Sequence, residues 1–113
     1  MDSKLLIELE NLKDDIKNSL EYKEYLSAEK ELEDSEEVQL LSYKKEMAIV
    51  DYEDSLKHFK EDSLEVKKAK EKLNEAISLL NSHEIVVKYN NALTKLNILM
   101  SEIEKEIFGD LND

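Results

Sequence analysis

The chain has 113 residues and a formal net charge of −12, with 28 acidic residues against 16 basic ones, all of them lysine. That length fits one domain, 1–113, able to bury a core of its own. Direct nucleic-acid binding is disfavoured, because phosphates are held by clustered cations and this surface on average repels them. Without cysteine there is no disulfide, thiolate metal site or thiol nucleophile, and with no proline and a single glycine, Gly109, little is left for hairpin turns or linkers. Helix is the default conformation. The charged fraction of 39% sits beside 41% hydrophobic residues, enough regular leucine, isoleucine and valine to argue against disorder.

Spacing predicts a first helix over 3–17, where Leu5, Leu9, Leu12 and Ile16 alternate steps of four and three. Met1-Asp2-Ser3-Lys4 leads into that amphipathic stretch, and no apolar run reaches the roughly 20 residues that span a bilayer. A cytoplasmic protein without membrane contact is expected. Each later helix is announced by one local pattern, Asn or Asp, then Ser, any residue, then Glu. It occurs at Asn18-Ser19-Leu20-Glu21, Asp34-Ser35-Glu36-Glu37, Asp62-Ser63-Leu64-Glu65 and Asn81-Ser82-His83-Glu84. A side-chain oxygen in such a pattern accepts from an unsatisfied N–H of the first turn, and the acid complements the positive end of the helix dipole.

These starts predict helices over 19–33, 35–60, 63–80 and 82–108. The break between the first two is the weakest, and one bent helix is an alternative there. Asp54-Ser55-Leu56-Lys57 has the dipeptide but lacks the Glu, and apolar spacing runs through it, so it is read as mid-helix. On the third helix Leu41, Ala48, Tyr52 and Phe59 form one apolar strip and Leu40, Tyr43, Met47 and Val50 another. The fourth has Val66, Ala69, Leu73, Ala76 and Leu80 in register. The fifth holds the three-four alternation through Val86, Tyr89, Leu93, Leu96, Met100, Ile103 and Ile107, with Ile85, Ala92 and Leu99 widening its face.

Connections this short turn sequential helices back on each other, so the expected fold is all-α, an antiparallel bundle of about five helices with two long ones, 35–60 and 82–108. At 1.5 Å per residue the long pair run about 39 Å each and the fourth helix about 27 Å. Apolar surface is then left over, and a homodimer, or a hetero-oligomer with related chains, is expected. Tyr22, Tyr25, Ile85, Ala92 and Leu99 are the candidate partner interface, tyrosine being favoured where an apolar ring and a wet hydroxyl are both useful. Packing inside the bundle is the competing role for the same tyrosines.

Chemistry is sparse. A carboxylate metal site in a bundle needs Glu three residues before His, whereas Ser55 precedes His58 and Leu80 precedes His83 at that distance. Asp51, Asp54 and His58 share a helix face, which reads as solvated surface before it reads as a weak cation site. His83 is expected in the first turn of the fifth helix, as polar packing. No serine has the glycine-flanked elbow of a nucleophile, and one glycine cannot build a phosphate loop. The acidic run from Glu29 to Glu37 and the lysines 67, 68, 70 and 72 read as solvated faces, with partner orientation as the functional alternative. No catalytic residue, metal or cofactor is expected.

From Ser19 to Phe108 the sequence resembles the YlbF/YmcA family of small helical bacterial proteins, including its YheA-like members. Ser19, Glu21, Tyr22, Tyr25, Ala28 and Leu32 carry the resemblance before the acidic turn at Asp34, and Asn81, Val86, Tyr89, Ala92, Leu96 and Asn97 carry it in the last helix. The resemblance implies a helical bundle that oligomerises and, as in the two namesake members, a regulatory role. Those two form a complex with a third protein, affect competence, sporulation and biofilm formation, and promote messenger-RNA processing by ribonuclease Y. They carry cysteines associated with iron–sulfur clusters, and this chain, with none, contradicts cluster binding for itself. The expected function is a non-catalytic regulator or adaptor that binds cytosolic proteins. A carboxylate metal protein or enzyme is one rival, and a structural spacer another.

Overall fold

The computed structural model describes residues 3–109, so Met1, Asp2 and residues 110–113 of the expected 1–113 domain lie outside it. The described residues form five helices and no strand: α1 Ser3–Asn18, α2 Leu20–Asp34, α3 Glu36–His58, α4 Leu64–Asn81 and α5 Glu84–Phe108. The all-α expectation, with α3 and α5 as the long helices, holds.

Serine caps set three of the starts. The Oγ of Ser19 accepts from the Tyr22 amide at 3.2 Å, that of Ser35 from Val38 at 3.2 Å and that of Ser63 from Val66 at 3.3 Å. Each takes up an amide that the first turn leaves without an intrahelical partner. Ser19 is also the whole break between α1 and α2, so these are two helices and not one bent one. Ser55 lies within α3 as expected, its hydroxyl donating back to the Tyr52 carbonyl at 2.6 Å.

Two ends differ from expectation. α3 stops at His58, and Phe59, assigned above to an α3 strip, is its extended C-cap, with φ −131° and ψ 158° and an amide that donates to the Ser55 carbonyl. The polar residues 60–63 then favour turn and cap conformations over continued helix. At the start of α5, Ser82 is consumed by closing α4, its amide donating to the Ser78 carbonyl at 3.0 Å. His83 therefore becomes the cap, outside the first turn where it was expected, with Nδ1 accepting from the Ile85 amide at 3.2 Å.

The chain divides into two compact units. The first comprises the described residues up to Lys30 and from Lys88 onward; Ala28, Ala92 and Leu96 are buried there. α1 contributes no buried residue. The second unit, Glu31–Val87, buries Val38, Val66 and Val86, one valine near the start of each of α3, α4 and α5. Inside it α3 and α4, joined through residues 59–63, pack on each other as an antiparallel pair.

Candidate functional site

The second unit carries a groove of about 570 Å³ between α3 and α4. Its shape follows from side-chain size. Ala48 on α3 and Ala69 and Ala76 on α4 line it and are only half-buried, so the two helices meet over methyl groups and leave a trough. Tyr43, Met47 and Leu79 stand along it as apolar ridges, exposed by 60%, 42% and 58%. Of the two α3 strips, then, Leu41, Ala48 and Tyr52 turn partly inward, while Leu40, Tyr43, Met47 and Val50 are exposed throughout.

Charges of both signs line this trough. Lys44 and Asp51 line it from α3, and Glu65, Lys68, Lys72 and Glu75 from α4. Among the described residues none of the six is drawn into an ion pair. The rim is locally neutral on a chain of net charge −12.

In the first unit, Tyr25 of α2 and Tyr89 of α5 bring their hydroxyl oxygens to 3.4 Å, with ring centroids 5.6 Å apart and planes tilted by 37°. Hydrogen bonding with Tyr89, then with the Glu29 carboxylate one turn along α2, holds the Tyr25 phenol well above the usual tyrosine range. Ionising it would place a phenolate beside a carboxylate. In the second unit the Nε2 of His83 meets the Glu37 carboxylate at 2.9 Å while its Nδ1 serves as cap acceptor. The neutral tautomer with its proton on Nε2 satisfies both bonds at once.

The five residues selected from the sequence as a candidate partner interface fall in both units. Tyr22, Tyr25 and Leu99 are half-buried and Ala92 is buried within the first unit, whereas Ile85 is half-buried in the second. Sequence reasoning singled out Tyr25 without its partner Tyr89, and it placed Met47 and Tyr43 on an apolar strip without seeing the groove. Asp51, Asp54 and His58 are all exposed, and among the described residues no group of three or more His, Asp or Glu is placed to hold a metal ion. No helix of the described residues is long and apolar enough to cross a membrane.

Residues 5–112 match the family described as control of competence regulator ComK, YlbF/YmcA. The chain belongs to the YlbF/YmcA family. No curated protein and no solved structure matches it. The YlbF/YmcA match takes in almost all of α1, upstream of the Ser19–Phe108 span in which the resemblance is carried by individual residues. Several of those residues serve the fold: Ala28, Val86, Ala92 and Leu96 are buried, and Ser19 is a cap. The YlbF/YmcA family is linked to control of a competence regulator, which is a regulatory role.

Proposed function

We propose that this chain is a non-catalytic regulatory adaptor of the bacterial cytoplasm that acts by associating with other proteins, in competence and related developmental control. The observation that carries this reading is the family match over residues 5–112. The groove of the second unit supports it, since exposed apolar ridges beside a trough are the usual anatomy of a protein-binding surface. Self-association, or pairing with related chains, belongs to the same proposal, with Leu26, Ile98 and Phe108 of the first unit as exposed apolar side chains open to it. A role in RNA processing would run through a partner that touches the RNA, because a chain of −12 repels phosphate.

The test pairs a phenotype with a physical readout. Deleting the gene in its host should change transformation frequency, and the tagged chain should retain at least one protein in stoichiometric amount. An unchanged frequency together with no stoichiometric partner would sink the proposal. The carboxylate metal reading predicts something different, stoichiometric iron, manganese or zinc in protein purified without chelator.

A further inference from the structure

The groove between α3 and α4 describes its own occupant, given the reading of this chain as a protein that acts by association. We propose that it takes an amphipathic helix of another protein, with an apolar stripe flanked by lysine or arginine.

Shape gives the helix. The α4 wall runs from Glu65 to Leu79, about 21 Å at 1.5 Å per residue, which is the length of about 14 helical residues. A floor of Ala48, Ala69 and Ala76 lets a third helix come close, near the short end of the roughly 8–10 Å range of interaxial distances. Large residues of the incoming stripe would fill the trough, and Met47 and Leu79 would close over its sides.

Charge gives the sign. Asp51, Glu65 and Glu75 stand on the rim without an ion pair among the described residues, ready to meet cations at both ends of the groove. Their short side chains cannot leave it. Lys44, Lys68 and Lys72 can, since a four-carbon stem lies over apolar surface while its ammonium swings to water. At longer range the net charge of −12 attracts a basic segment and speeds its encounter. An anionic membrane or a nucleic acid would meet net repulsion from the same charge.

The experiment uses the full chain and synthetic helical peptides of about 14 residues, all sharing one leucine stripe, flanked either by lysine or by glutamate. Fluorescence anisotropy at about 150 mM salt should show the lysine-flanked peptide binding at least about tenfold more tightly. Met47→Gln combined with Leu79→Gln removes exposed apolar ridges without changing charge, and should weaken that peptide about tenfold while circular dichroism stays the same. Asp51→Asn with Glu75→Gln should weaken it as well, with the apolar wall intact. Equal binding by the Gln double variant would reduce the effect to net charge and overturn the proposal. So would a glutamate-flanked peptide that binds as well, or no binding by either. Sedimentation of a dimer that the same double variant dissociates would assign the groove to a second copy instead. Should these arms fail while the tagged chain still retains its cellular partner, association survives and only the groove assignment falls.

Discussion

The hydroxyl oxygens of Tyr25 and Tyr89 lie 3.4 Å apart, joining α2 and α5 across 64 positions of sequence. Because hydrogen bonding with Tyr89 and then Glu29 raises the Tyr25 phenol, the folded state holds that proton more tightly than the unfolded chain, where tyrosine titrates near 10. The stabilisation is complete below about pH 10 and is lost as pH climbs toward the raised folded value. A tyrosinate absorbance titration should therefore show one of the five tyrosines lagging the others. Tyr89→Phe should bring that late step down; a wild-type curve with no late component would refute the pairing.

Ser35→Ala and Ser63→Ala should each destabilise the protein by about 1 kcal/mol, the usual loss when an N-cap oxygen is removed. Replacement by Asp should restore most of it. Ser55→Ala, in mid-helix, should be neutral or slightly stabilising, because that hydroxyl only bonds back to its own helix. Urea midpoints for the set separate the cases, and an equal loss at all three serines would contradict the capping assignment.

At His83 a single imidazole does two jobs, and substitutions divide them. His83→Ala should cost about 1 kcal/mol through the lost cap, while His83→Asn, a good cap with too short a reach for Glu37, should recover most of that. Glu37→Gln should change stability by less than about 0.5 kcal/mol, since the carboxylate is largely exposed. If Asn proves no better than Ala, the hydrogen bond to Glu37 and not the cap is what matters there.

Leu96 is 6% exposed and Ile98, two residues on, is 55% exposed. Leu96→Asp buries a carboxylate without a partner and should cost several kcal/mol, about half of a typical domain's stability. Ile98→Asp should stay within about 0.5 kcal/mol. Thermal melts of the two variants run side by side would expose a misplaced face at once, through either a tolerant Leu96 or an intolerant Ile98.

Much of this fold could be read from the sequence because it is governed by local rules. Asn or Asp, then Ser, any residue and Glu, signals a helix start from local chemistry alone, and at Ser19, Ser35 and Ser63 nothing competes. At Ser82 something does: α4 needs closing, and the cap passes to a histidine that no propensity scale would choose. The groove was harder to see. Leu41, Ala48 and Tyr52 repeat with the same period as Leu40, Tyr43 and Met47, so periodicity finds both strips without telling which is covered. Ala69 and Ala76 count as apolar seam positions in any pattern, yet their smallness becomes a trough only once α3 lies beside α4. The Tyr25–Tyr89 contact has no local signature either, since it joins residues far apart in the chain.

α1 buries no side chain completely, and it is separated from α2 by one capped residue. Its backbone amides can therefore open to solvent without disturbing the valine, alanine and leucine positions that hold either unit together. Deuterium should enter 3–18 well before 84–108, and a protease working on the native protein should find its earliest cut there.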